Sequence, residues 1–296
     1  MSSIGFIGLG NMGGPMAANL VKTGGHVLGF DVVPASREAS AKDGVQIAAN
    51  ARAAVEAADV VVTMLPAGEH VLAVWDDIVP VARQGTLFID CSTIDVASAR
   101  KAHALAAASG IATLDAPVSG GVGGAKAATL TFMVGGSTHA FERGKPVLEQ
   151  MGKRIVHCGE AGNGQVAKIC NNMILGISMI GVSEAFVLGE RLGLSHQALF
   201  DVASASSGQC WSLTSYCPVP GPVPASPANN HYRPGFAAAL MLKDLKLARA
   251  AAESVKAHTA LGGHAAQIYE EMAQRGHSGD DFSGIINLVR EQSKAD

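Results

Sequence analysis

The sequence predicts an α/β chain in two parts: a parallel sheet wrapped by helices, then an all-helical part. Two observations carry this. Through the first half, short apolar runs alternate with helical stretches, the rhythm of parallel strands with a helix crossing between them. Past the middle of the 296 residues no convincing strand remains. The change falls at Gly162-Asn163-Gly164-Gln165-Val166-Ala167-Lys168-Ile169-Cys170-Asn171-Asn172, whose glycines and asparagine make a natural helix start. Domains are therefore expected at 1–162 and 163–296, with 163–192 as a long interdomain helix that joins the two parts and lines the space between them.

In chain order, residues 4–7 form a short buried strand that runs into Gly8-Leu9-Gly10-Asn11-Met12-Gly13 and then a helix. A GxGxxG alone is a weak signal; between a strand and a helix, with a second strand at 26–30, it marks a Rossmann-type dinucleotide site. Gly8 permits the tight turn, Gly10 lets the backbone approach a pyrophosphate, and Gly13 lets the helix pack closely. Leu9, Asn11 and Met12 come to the cofactor with them. Asp31 lies 21 residues beyond Gly10, where an acid is expected to meet the ribose hydroxyls. A carboxylate repels a 2′-phosphate and Val32-Val33-Pro34 offer no arginine to hold one, so NAD is favoured over NADP.

Further strands are expected at 60–65, 86–90, 112–116, 130–134 and 155–157. Ligands of such sheets lie beyond the carboxyl ends of the strands. That places Leu65-Pro66, Ser92-Thr93 and Ser119-Gly120-Gly121 on one rim. The glycines after Ser119 either expose N–H groups that cradle a small carboxylate or simply make a turn; both readings stand.

The joining helix carries Lys168 and Asn172 four residues apart, hence on one face, among apolar neighbours. Taken alone, that fits a lysine whose stem lies on apolar surface while its amine reaches water. Glu184 and Glu190 mark the wetter side of this helix and Gly193 ends it. A loop bearing Trp211 and Tyr216 leads into a proline-dense segment, 218–227, which reads as a stiff extended lid over a small pocket. In the helix after it, Lys243 and Asp244, read alone, are surface charges on a helix edge.

Composition excludes other classes. Hydrophobic residues at 48% and charged residues at 16% provide a sizeable core. A net charge of −3 and 5% aromatics give neither a basic stripe nor a stacking platform for nucleic acid, and no polybasic run for a membrane surface. The longest greasy run, 173–182, is about half a membrane span. Five cysteines without a CxxC indicate reduced thiols, and ten scattered histidines without HxH or HxxxH indicate no metal site. A strand beginning by Ile4 leaves no room for a signal or transit peptide, so a cytoplasmic location is expected.

GFIGLGNMGGPMAANL, DAPVSGGVGGA, GNGQVAKICNN and LMLKDLKLA stand in that order across nearly the whole chain. With them the chain resembles the β-hydroxyacid dehydrogenases. The segment QCWSLTSYCPVPGPVPASPANNHYRPGF is similar to the form in the branch that oxidises 3-hydroxyisobutyrate; the semialdehyde-reductase branches lack it. The resemblance implies Lys168 as the catalytic residue, with Ser119, Gly120, Gly121 and Asn172 holding the substrate. It implies Asp31 on the adenosine ribose, and Leu65, Pro66 and Thr93 on the dinucleotide. Lys243 is implied near nicotinamide and substrate, with Asp244 beside it. Apart from the resemblance, the lid puts Trp211 and Tyr216 over the substrate. His70 stands where some relatives place an asparagine near the cofactor. The family's dimers or tetramers imply a homo-oligomer.

The implied chemistry is oxidation of a small 3-hydroxy acid. An alcohol loses hydride only as its hydroxyl proton leaves, so a base must reach that oxygen. Lys168 does this as a neutral amine, a form favoured by burial and by a second cation such as Lys243. The expected activity is NAD-dependent oxidation of 3-hydroxyisobutyrate, a step of valine breakdown. The alternatives are a dehydrogenase for L-serine or another 3-hydroxy acid, a semialdehyde reductase, and a dinucleotide-binding sensor without turnover.

Overall fold

The computed structural model describes residues 3–294. The chain divides into two compact units that part between Lys168 and Ile169. The first is built on one nine-stranded sheet: β1 (Ser3–Ile7), β2 (His26–Phe30), β3 (Gln46–Ile47), β4 (Val60–Thr63), β5 (Leu87–Asp90), β6 (Ala112–Asp115), β7 (Val118–Ser119), β8 (Leu130–Gly135) and β9 (Gly152–Gly159). Strands β3-β2-β1-β4-β5-β6 lie side by side and parallel.

The sheet is not parallel throughout, as the alternating rhythm suggested. β8 runs antiparallel to β6 and β7, and β9 then pairs parallel to β8. The link from β7 to β8 is only residues 120–129, with the helix Gly121–Ala127 inside it. So short a link suits an antiparallel return, whereas a parallel neighbour needs a longer crossover. The two-residue strands β3 and β7 are too short to show a period in sequence.

Alternation along each strand divides the core into two layers. Phe6, Val60, Val62, Leu87 and Ile89 pack with Met16 and Leu20 of the helix Gly13–Lys22 on one face. Ile7, Val61 and Phe88 pack with Val71, Trp75 and Ile78 of the helix Gly68–Ile78 on the other. Both faces being covered explains why β4 and β5 read as unbroken apolar runs.

The second unit is helical. Among the described residues its only strand-like feature is an isolated bridge between Ala237 and Asp281. Met179 and Ile180 of the helix Asn163–Arg191 pack with Met241 and Leu245 of Ala238–Ser254, Tyr269 of Ala260–Met272 and Ile285 of Ile285–Gln292. Phe186 and Val187 pack with Leu213, Cys217 and Val219. The long helix closes on Gly193 (φ 84°), with the Leu194 N–H donating to the Gly189 carbonyl at 2.9 Å. At 29 residues it is long and apolar enough to cross a membrane by length and composition, more than the run 173–182 suggested, because Asn171 and Asn172 do not interrupt it. Glu190 does more than face water: it accepts from Arg290 (2.5 Å) and His196 (2.6 Å).

The proline segment is a braced loop. Cys217, Val219 and Ser226 are buried. The Ser226 hydroxyl donates to the Cys217 carbonyl (2.6 Å), and the Tyr232 hydroxyl to that of Pro218 (2.8 Å).

Candidate active site

The glycine loop has the geometry its spacing demands. Gly8 sits at φ 94°, and a Cβ there would lie 2.2 Å from the Met64 carbonyl oxygen. A Cβ on Gly13 would lie 1.9 Å from the Gly8 oxygen, so only glycine lets the helix close on the turn. Gly10 is the opposite case: a Cβ would meet nothing within 4 Å, so the space over its backbone stays open to a ligand. The helix Gly13–Lys22 has no side-chain cap and no acid in its first turn. Its positive end therefore faces that space uncompensated by the chain, and the loop fits a pyrophosphate.

Asp31 is half-buried just after β2. The Leu9 N–H donates to its Oδ2 at 2.6 Å and the Val33 N–H to its Oδ1 at 2.7 Å. Each oxygen accepts one of these hydrogen bonds and keeps further lone-pair capacity, and the loop itself aims the carboxylate. Residues 32–34 hold no arginine, yet the helix Pro34–Lys42 brings one back. Arg37 donates to the Asp31 carbonyl at 2.6 Å and lies 5.7 Å above the Phe30 ring centroid.

Along the strand ends the Leu65 N–H donates to the Ser92 hydroxyl at 2.8 Å, fixing the turn that leads to Pro66. The Ser92 hydroxyl donates to Asp90 Oδ1 at 2.6 Å, and Thr63 donates to the same oxygen at 2.7 Å. Asp90 is buried and its Oδ2 has no partner; burial outweighs the Ser92 and Thr63 hydrogen bonds and pushes its carboxyl up to about 6. Thr93 is half-buried beside Ser92. His70 is exposed, its ring 3.9 Å from Glu69. Gly120 (φ 133°) and Gly121 (φ 60°) occupy backbone conformations that glycine favours, at the start of the helix Gly121–Ala127, and Ser119 beside them is half-buried.

Lys168 is 6% exposed and Asn172, one turn on, is 1% exposed. The start of their helix is capped from far away in sequence, not by its own asparagine. Gly162 N–H donates to Asp115 Oδ1 (2.8 Å) and Gln165 N–H to Asp115 Oδ2 (3.0 Å). Asn163 instead donates to the Cys158 carbonyl. His103 completes the cluster, its Nε2 3.0 Å from Asp115 and its Nδ1 2.6 Å from the Thr113 hydroxyl. It is a buried histidine among ten that read as scattered.

Within the second unit Asn172 Nδ2 donates to Asp244 Oδ2 at 2.5 Å, and Lys243 Nζ lies 3.9 Å from Asp244 Oδ1. Asp244 is 3% exposed, so the charge pair that read as surface decoration has one member in the core. Tyr216 stacks between Trp211 (4.8 Å) and Phe282 (5.3 Å), and its hydroxyl donates to Asp281 at 2.9 Å. Trp211 is half exposed at 51%. Sequence reasoning passed over Asp90, Asp115, Gln165 and His103. The one signal they left was an aspartate as the last residue of a buried strand, at Asp90 and Asp115. Among the described residues no group of three potential metal ligands occurs.

Residues 3–159 match the NAD binding domain of 6-phosphogluconate dehydrogenase. Residues 162–289 match the NAD-binding domain of NADP-dependent 3-hydroxyisobutyrate dehydrogenase. The chain is 54% identical to a probable 3-hydroxyisobutyrate dehydrogenase of Mycobacterium tuberculosis, over the full length of both. It is 46% identical to an NAD-dependent L-serine dehydrogenase of Pseudomonas aeruginosa, over 97% of this chain and 98% of the relative. The solved structure of a Mycobacterium tuberculosis 3-hydroxyisobutyrate dehydrogenase with L-serine superposes with a TM-score of 0.96 at 54% identity, covering 98% of this chain and 99% of the other. The chain belongs to the 6-phosphogluconate/3-hydroxyisobutyrate dehydrogenase family of NAD-binding oxidoreductases.

Proposed function

We propose that this protein oxidises 3-hydroxyisobutyrate to methylmalonate semialdehyde, with Lys168 as the base. The observation that carries the reading is a lysine and an amide one turn apart on one helix, 6% and 1% exposed. A lysine shielded from water is suited to take a proton. Bound NAD supplies the acceptor for the hydride that leaves C3. Lys168 takes the hydroxyl proton as that hydride departs, and returns it in the reverse direction. Ser119 and the N–H groups of Gly120 and Gly121 hold the substrate carboxylate, and Asn172 orients the amine. Gly8, Leu9, Gly10, Asn11, Met12 and Gly13 cradle the pyrophosphate, Asp31 holds the ribose, and Leu65, Pro66, His70 and Thr93 contact the dinucleotide. Lys243 serves the nicotinamide side, and Trp211 and Tyr216 the substrate.

L-serine is the second reading, favoured by the serine-bound relative and by the L-serine dehydrogenase. Both substrates share a 3-hydroxyl and a carboxylate, so the proposed groups serve either. NAD reduction followed at 340 nm with 3-hydroxyisobutyrate, L-serine and glycerate in parallel separates them. The reading predicts the highest kcat/KM for 3-hydroxyisobutyrate; a higher value for L-serine reverses the order, and no turnover with any of them ends it. We assign the protein to valine breakdown, the setting that the activity named for its relatives implies, and to the cytoplasm. We also place a second copy of the chain against the long helix and the turn after it, where Ile174 and Leu188 of the helix and Leu192 of the turn are 65%, 61% and 77% exposed.

A further inference from the structure

Gln165 is fully buried in the first turn of the helix that carries Lys168, three residues before it and so on a neighbouring face. Its Nε2 donates to the Ser92 carbonyl at 2.7 Å and its Oε1 accepts from the Ile94 N–H at 3.1 Å. The amide thus brackets Thr93 on both sides through the main chain. Only this orientation of the amide gives a donor to the carbonyl and an acceptor to the N–H. Each side also has anchors of its own. The helix start is held by Asp115, and Gly164 is pressed so close that a Cβ would lie 2.4 Å from the Met133 oxygen and 2.6 Å from that of Asp115. The turn is held by Ser92 on Asp90. Gln165 links two parts that are already rigid, which is what a device that sets distance requires.

We propose that Gln165 is a positioning residue: it fixes the turn around Thr93, on the dinucleotide side, relative to the helix that presents Lys168. The proposal rests on the reading of Lys168 as base and of Thr93 as a cofactor contact. Hydride and proton leave the same alcohol, so their acceptors must hold one spacing, and a displacement near 1 Å costs about 100-fold in rate. Glutamine suits the place because it offers one donor and one acceptor at the reach of two methylenes. Asparagine is too short to make both bonds, and an ionised glutamate would set an oxygen against the Ser92 carbonyl.

The test uses Gln165→Met and Gln165→Glu, assayed with NAD and 3-hydroxyisobutyrate, with kcat expressed per NADH-binding site counted by NADH fluorescence. Gln165→Met is expected to lose about 30- to 100-fold in kcat with KM within about threefold. Gln165→Glu should lose as much at pH 9, and its ratio to wild type should climb at least about tenfold by pH 6. Burial raises a carboxyl, and the protonated form restores a donor to Ser92 and an acceptor for Ile94. Wild-type kcat per site in both variants, with a flat ratio across pH, overturns the proposal. Lys168→Ala measured alongside separates the two claims. Normal turnover there removes the base assignment and this proposal with it, whereas a dead Lys168→Ala with unaffected Gln165 variants removes this proposal alone. If neither Gln165 variant binds NADH, hydrogen exchange of the wild-type enzyme decides. Joint opening of the Ile94 and Gln165 amides supports the link, and independent opening contradicts it.

Discussion

Asp31, on the β1–β2 side of the sheet, and Asp90 with Asp115, on the β5–β6 side, occupy corresponding places at the carboxyl ends of parallel strands. Their environments differ. Asp31 is half-buried, and one backbone N–H reaches each oxygen while a lone pair on each stays open. Asp115 is 1% exposed, and Gly162, Gln165 and His103 engage both its oxygens. Asp90 is as deep, but its three donors all converge on Oδ1 and Oδ2 has none. One side of the rim holds a half-buried carboxylate with lone pairs open; the other holds carboxylates buried among groups of the chain itself. Position at a strand end does not decide between these roles. The supply of donors and the access to solvent do.

Three substitutions probe that contrast. Asp115→Ala carries the largest expected effect on stability, because it strands two helix-start N–H groups and His103 in the interior. A loss of about 3–5 kcal/mol in urea unfolding is expected, and a loss below about 1 kcal/mol would contradict the strut role. Asp90→Asn comes next. With its folded carboxyl near 6 against an ordinary 3.8, Asp90 binds its proton more tightly when folded. Its favourable contribution is full below the ordinary value and is lost as pH rises through about 6. Between pH 4 and 7 the wild type should therefore lose roughly 2–3 kcal/mol relative to Asp90→Asn. Parallel stability curves for the two proteins over that window would show that burial does not govern this carboxyl. Asp31→Ala should disturb the fold least. NAD binding is expected to weaken at least about tenfold and discrimination against NADP to shrink, with urea stability within about 1 kcal/mol of wild type. A large loss of stability with NAD affinity intact would make Asp31 a strut like Asp115.

The open side of the rim was legible in sequence and the strut side was not. The glycine loop and Asp31 lie within about 25 residues of one another, and the chemistry of each glycine follows from local spacing. Gln165 meets Ser92 from 73 residues away and Asp115 meets Gly162 from 47, across crossings that no periodicity encodes. For the same reason Asn163 read as the natural helix start while the cap comes from Asp115. Tyr216 read as a lid residue over the substrate, without its anchors, because Asp281 and Phe282, which hold its hydroxyl and its ring, lie far along the chain. The antiparallel β8 escaped because a short apolar run carries no sign of its direction. Spacing put Lys168 and Asn172 on one helix face but favoured an amine reaching water; the family resemblance singled them out, and their depth became apparent only in the fold.

The most direct measurement is turnover of Lys168→Ala with NAD and 3-hydroxyisobutyrate, set beside its affinity for NADH. The account predicts a fall in kcat of about 100-fold to 10,000-fold with NADH affinity within about threefold of wild type. Turnover near that of the wild type would contradict it.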